Sequence, residues 1–155
     1  MRSVVFTVPG RLGGKGRPRF VNGMVLTPHK TVVEEGVIKH FAHDAMRQGR
    51  LSLLQGPLFV GVQVRLAYPK SWSAKKCGNT LYVQGKPDLD NQLKLLGDAM
   101  NGIVFLDDAQ IAQVSFERRY IGTGKEESVT VVVRELEDQP LIRPQRPHLM
   151  KACHG

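Results

Sequence analysis

Apolar and polar residues alternate with a period of two in the first residues of the chain. Val4, Phe6 and Val8 share one side and Pro9-Gly10 stops the run, which predicts a strand over residues 3–8. The longest alternation is Leu58, Val60, Val62, Val64 and Leu66 against Phe59, Gly61, Gln63, Arg65 and Ala67, a strand over residues 58–68 ended by Pro69. Residues 112–121 and 128–134 read as two more strands, the second dense in β-branched valine. The turn Gly122-Thr123-Gly124-Lys125 between them predicts that they pair as an antiparallel hairpin. A shorter hairpin is predicted where Asn22-Gly23 interrupts the apolar residues Phe20, Val21, Met24 and Val25.

Two segments follow helical spacing instead. Val33, Val37, Phe41 and Ala45 predict a helix over residues 28–48, with Thr27 as N-cap, Pro28 in the first helical position and Gly49 as the stop. Leu89, Leu93, Leu96 and Met100 fall within about 40° of one another at 100° per residue and predict a second helix beginning near Leu89. On another side of that helix lie Asp90, Lys94, Asp98 and Asn101, and Asp88 is its predicted N-cap. The reading is an α+β domain over residues 1–137. Beyond it, residues 138–155 form a basic, proline-rich tail carrying Pro140, Pro144, Pro147, Arg143, Arg146 and Lys151.

Charge turns this outline toward function. With 155 residues, 22 Lys and Arg against 14 Asp and Glu, the net charge is +8, which favours an anionic polymer as partner. Only 6% of residues are aromatic, so a long base-stacking platform is not indicated. The loop over residues 10–19 holds four glycines, four basic residues and no acid, without the spacing of a P-loop or dinucleotide fingerprint. A second polar loop, residues 70–79, holds Lys70, Lys75, Lys76 and the sole tryptophan, Trp72. Lys15, Arg17, Arg19, Lys75, Lys76 and Lys86 are the expected phosphate contacts. Trp72 either tucks against the core or packs on a sugar or base. Cys77 and Cys153 make no disulfide framework, no stretch approaches a membrane span, and a soluble cytoplasmic protein is expected. His40 and His43, spaced i, i+3, have a spacing open to a metal but lack a third ligand nearby and read as surface or half-buried residues. His148, Cys153 and His154 belong to the tail, which reads as an appendage that adds affinity for DNA or reaches a partner.

Against this basic background, Asp88, Asp90, Asp98, Asp107 and Asp108 stand within twenty-one residues. Each has a structural reading: Asp88 as a cap, Asp90 and Asp98 as i, i+4 partners of Lys94. The apolar run Gly102-Ile103-Val104-Phe105-Leu106 returns the chain and delivers Asp107 and Asp108 together, which is costly without a cation. Oxygen donors without Cys or His point to Mg²⁺, or Mn²⁺ as a substitute. Asp98 lies about 12 Å along the helix from Asp90 and reads as support for Lys94 rather than as a ligand.

The run Lys86-Pro87-Asp88-Leu89-Asp90-Asn91, Lys94, Asp98, Asn101-Gly102 and then Asp107-Asp108, Gln110-Ile111 closely resembles the RusA family of Holliday-junction resolvases, small endodeoxyribonucleases of bacteria and prophages. Gly16-Arg17-Pro18-Arg19-Phe20 and the order of elements over most of residues 1–136 agree with it. The resemblance implies a mixed sheet with two main helices packed on it. It implies that Asp88, Asp90 and one acid of the Asp107-Asp108 pair, Asp108 by its place before Ala109-Gln110, bind the catalytic metal, with Lys94 needed for cleavage; Asp98, Asp107 and Asn91 read as supporting residues. It further implies a homodimer that binds four-way DNA junctions and makes paired nicks in recombination and repair. A metal-dependent nuclease for other branched DNA and a DNA-binding module without catalysis are the alternatives that the residues leave open.

Overall fold

The structure, a computed structural model, describes residues 1–138; the tail reading, with His148, Cys153 and His154, lies outside them. Four strands form one sheet in the order β1 (Ser3–Pro9), β6 (Ser128–Glu135), β4 (Leu58–Ala67), β5 (Ile111–Gly122). β6 runs antiparallel to both β1 and β4, while β4 and β5 are parallel, so the sheet is mixed. Alternation decides which face is covered. Val4, Phe6 and Val8 of β1, Leu58 through Leu66 of β4 at every second position, and Val129, Val131 and Val133 of β6 are all buried. Helices α1 (His29–Gln48) and α3 (Leu89–Met100) pack on that face and on each other. The opposite face carries exposed residues such as Val5 and the Thr7–Thr130 hydroxyl pair. A two-stranded hairpin, β2 (Arg19–Val21) and β3 (Met24–Leu26), stands apart from the sheet, turning through Asn22 and Gly23 at positive φ as the Asn-Gly signal requires.

The predicted hairpin between the last two strands does not form. β4 lies between them, pairing Val62 with Phe116 on one side and with Val131 on the other. The most continuously apolar strand takes a central place, and β5, which carries Glu117, Arg118 and Arg119, takes the edge. Five linking residues, 123–127, suffice to cross two strand spacings of about 4.8 Å each.

Both helices bury a face rotated from the predicted one. In α1 the buried residues are Thr31, Ile38, Ala42 and Met46, whereas Val33 and Val37 are exposed and Phe41 and Ala45 sit at the edge of the core. Two adjacent apolar stripes run along this helix, and packing on β1 and α3 selects the second. Pro28, not Thr27, occupies the cap position, and no side chain caps the helix. In α3 the buried residues are Gln92, Leu95, Leu96, Gly97, Ala99 and Met100; Leu93 is half-buried and Leu89 exposed. Packed on α1 and in the core, this helix buries a wider arc than one leucine stripe. Gln92 is drawn inside because its Nε2 donates to Leu12 O at 2.9 Å. The second polar loop contains a short helix, α2 (Ala74–Asn79), whose N-terminus is capped by Ser73 Oγ accepting from Lys76 N.

A charged clasp closes the outer edge of the sheet. Glu135 accepts from Gln55 N at 2.8 Å and from Arg2 Nη2 at 2.6 Å and Nε at 3.0 Å, and its carboxyl is held down at about 2 by these donors, the Gln55 amide foremost. A lowered folded-state value stabilises above the unfolded value and loses that contribution on acidification. Glu135→Gln should therefore cost about 1.5–3 kcal/mol at neutral pH. In urea titrations the gap to the parent protein should shrink as pH falls from about 4.5 and vanish near 2.

Candidate active site

The acidic stretch is aimed by an edge strand. Residues leading into α3 run beside β5, where Val83 N donates to Arg118 O and Tyr120 N to Leu81 O. Arg118 then reaches across with Nη1 to Pro87 O at 2.7 Å, Gly85 O at 3.4 Å and Gln92 Oε1 at 3.4 Å. Gly85 turns at φ +98°, a conformation that favours glycine. This clasp fixes Pro87 and so the start of α3. Asp88 occupies the N-cap position, but its carboxylate does not cap; it accepts from Lys86 Nζ at 2.6 Å. Asp90 follows in the first turn, exposed, at the positive end of the helix dipole.

At the other end of α3 the chain turns through Gly102 and buries Val104 and Phe105 completely. That anchor presents Asp107 and Asp108. Asp107 caps a 3-10 turn, Asp108–Gln110, accepting from Ala109 N at 2.9 Å, while Gln110 Oε1 accepts from Asp107 N. Asp108 points the other way: a Cβ placed on Gly97 would lie 3.5 Å from Asp108 Oδ2. This carboxylate lies against α3 beside Gly97, at a distance an added Cβ would meet as ordinary contact. Asp108 is exposed as a whole, but partial desolvation of its carboxyl, with Asp107 and then Asp98 close by, pushes it above its ordinary value.

The glycine-rich loop is a strap across both helices. Lys15 N donates to Asn91 O at 3.1 Å and Gly16 N to Thr31 Oγ1 at 3.0 Å. Lys15 Nζ sits between Glu35 of α1 at 2.7 Å and Asp98 of α3 at 2.6 Å. A Cβ at Gly13 would overlap the Glu34 carboxylate, and one at Gly14 would come within 2.8 Å of Pro87. These glycines allow close packing of the loop on the protein. A groove of about 530 Å³ opens between strap, α1 and the start of α3, bordered by Arg11, Lys15, Lys30, Glu34, Lys86 and Asp88. Burial raises the Glu34 carboxyl there, partly offset by Lys30.

The acids of the sequence motif thus divide into those with partners and those without. Asp88 has Lys86, Asp98 has Lys15, and Asp107 has its cap. Asp90, Lys94 and Asp108 make no ion pair among the described residues; neither i, i+4 pairing of Lys94 with Asp90 or Asp98 is formed. Asp90 and Gly97, against which Asp108 rests, lie on one face of α3 about 10.5 Å apart along the axis. Among the described residues no three His, Cys, Asp or Glu side chains converge closely enough to hold one ion. Asp88, Asp90 and Asp108 of a single chain therefore do not by themselves fit a shared metal. Arg17 and Arg19 are exposed, as are Lys75, Lys76 and Lys86, whereas Lys15 is largely enclosed by its two acids. Asn91 is exposed and contributes its backbone carbonyl to the strap. Glu34, Glu35 and Arg118 were not singled out by the sequence. Their roles arise from contacts between α1, β5 and the strap that no local pattern encodes.

The sequence model of the family described as endodeoxyribonuclease RusA matches residues 9–134, most of the chain. The uncharacterized protein YqaN of Bacillus subtilis (strain 168) is 29% identical over 146 residues, covering 88% of this chain and 99% of that one. No helix among the described residues is long and apolar enough to cross a membrane.

If the strap depends on close packing, Gly14→Ala should lower stability by about 1–3 kcal/mol. Gly36→Ala, on an open face of α1 where an added Cβ meets nothing within 4 Å, should raise it by about 0.5–1 kcal/mol. Urea unfolding of the two variants beside the parent protein checks the contrast.

Proposed function

The chain belongs to the RusA endodeoxyribonuclease family, and from that premise we propose that it is a Mg²⁺-dependent endonuclease resolving four-way DNA junctions by paired nicks. It would act as a cytoplasmic homodimer in recombination and repair. The observation that carries this reading is the set Asp90, Lys94 and Asp108, without ion pairs among the described residues, along one face of α3 beside a groove bordered by Arg11, Lys30 and Lys86. Carboxylates left without a partner are available to a cation, and the exposed Arg17, Arg19, Lys75 and Lys76 suit a polyanion.

The proposed metal ligands are Asp88, Asp90 and Asp108, and a second copy of the chain completes the set that one copy holds apart. Asp88, Asp90 and Asp108 would hold the divalent cation, which would supply water activation and positive charge for the phosphate. The chain's own residues do the remaining work. Lys94, one turn beyond Asp90, offsets charge building on the phosphate. Lys86 holds Asp88, Lys15 holds Asp98, and Arg118 fixes Pro87, so that the start of α3 does not move when DNA arrives. Arg17, Arg19, Lys75, Lys76 and Lys86 contact the phosphate backbone, with Lys15 shaping the strap beneath it.

Apolar surface supports the dimer. The β2–β3 hairpin leaves Phe20, Val21, Met24, Val25 and Leu26 exposed, and α1 exposes Val32, Val33 and Val37. Contiguous apolar surface of this kind marks association sites.

Labelled four-way junction, fork, flap and linear duplex incubated with Mg²⁺ test the assignment. The junction should be nicked in pairs and EDTA should stop it; preference for another branch would favour the broader nuclease, and intact strands a binding module. Asp90→Asn should lower cleavage at least about a thousandfold while junction affinity holds or rises. Normal cleavage by that variant would remove Asp90 from the site. Phe20→Glu combined with Met24→Glu should shift sedimentation from dimer to monomer and abolish cleavage.

A further inference from the structure

All three tyrosines of the chain and its only tryptophan gather at one corner of the molecule. Tyr68 stacks on Tyr120 with ring centres 5.0 Å apart, and Trp72 lies against both, 5.1 Å from Tyr120 and 6.0 Å from Tyr68. Tyr68 OH donates to Thr80 O at 2.7 Å, which ties the end of α2 to this cluster. Lys76 Nζ sits 4.1 Å from the Trp72 ring centre. Beside the cluster opens a pocket of about 270 Å³ lined by Trp72, Lys76, Thr80, Tyr82, Gln84 and Tyr120.

The core does not account for this pocket. Tyr82 is 58% exposed and Gln84 is exposed, so neither side chain is held there by burial. The walls combine what a nucleobase needs. Aromatic rings offer a stacking surface, Thr80 and Gln84 offer hydrogen bonds to a base edge, and Lys75 and Lys76 offer charge to the adjoining phosphate. A base within duplex DNA has both faces covered by its neighbours, so such a pocket admits only a base that has left the stack. The position is pertinent to cleavage. Tyr82 precedes Asp88 by six residues, at most about 20 Å of chain. Arg118 clasps the intervening Gly85 and Pro87.

We propose that this pocket binds one unstacked nucleobase of the DNA strand that lies close to the acids of α3. The proposal rests on the reading of the protein as an endonuclease for branched DNA, and extends it with a base-reading site. Trp72, being the sole tryptophan, reports on the pocket by its own fluorescence. In EDTA, where nothing is cleaved, short oligothymidylate should quench that fluorescence and bind about tenfold tighter than an abasic strand of the same length and charge. Tyr82→Ala should erase the difference between the two strands, and Tyr82→Phe, which keeps the ring, should restore it. Equal affinity and equal quenching by the two strands would overturn the proposal, as would a difference that survives Tyr82→Ala in a variant with parental thermal stability. Junction incubated with Mg²⁺ separates this question from the enzyme's. Base-dependent quenching without cleavage of any branched DNA keeps the pocket and removes the nuclease reading. Cleavage without base dependence does the reverse.

Discussion

Like charges on a rigid rod cannot be brought together without help, and the layout of this protein follows from that constraint. Five aspartates fall on or beside α3, whose rise of 1.5 Å per residue fixes the spacing of those it carries. The fold gives three of the five a partner each. Lys86 meets Asp88, Lys15 comes from a distant loop to Asp98, and Asp107 is spent on a capping box. Asp90 at one end and Asp108 beside Gly97 two turns on have no ion-pair partner among the described residues. The buried face of α3, with Leu95, Leu96, Ala99 and Met100 fully enclosed, is what holds the rod in place while its outer face carries this charge.

The scaffold reaches the site through two clasps rather than through the core itself. Arg118 projects from the edge strand β5 and secures the turn before α3 by carbonyl oxygens alone. The glycine strap secures the same region from the N-terminal side, and does so because three of its residues lack a Cβ that would collide with Glu34, Pro87 or Thr31. A charged edge strand, placed outside the more apolar β4, is thus both the answer to sheet packing and the source of the arginine that positions Asp88.

Much of the domain was legible because its signals are local. The alternation in β1 and β4, the Asn-Gly hairpin and the start of α3 at Leu89 all appear where the pattern puts them. Where two answers were locally equivalent, tertiary contacts chose. Val33 and Val37 gave as good a stripe as Ile38 and Ala42, and the sheet took the latter. A Gly-containing link fits a hairpin as well as a crossover, and insertion of β4 between β5 and β6 decided it. In the site, the division of the acids into paired and unpaired was not legible, because it depends on contacts from distant segments. Lys15 is seventy-three residues from Asp88 in sequence and was read as a phosphate contact; it lies between Glu35 and Asp98.

Under the proposed function, Asp90 of one copy acts with Asp108 of a second copy. Mixing tests it directly. Asp90→Asn and Asp108→Asn proteins, each inactive alone, are unfolded and refolded together and assayed for nicking of a four-way junction in Mg²⁺. The account predicts that nicking returns, because one site of each mixed dimer then holds both native acids. A mixture as inactive as its two parents would contradict it and place the whole set within a single chain.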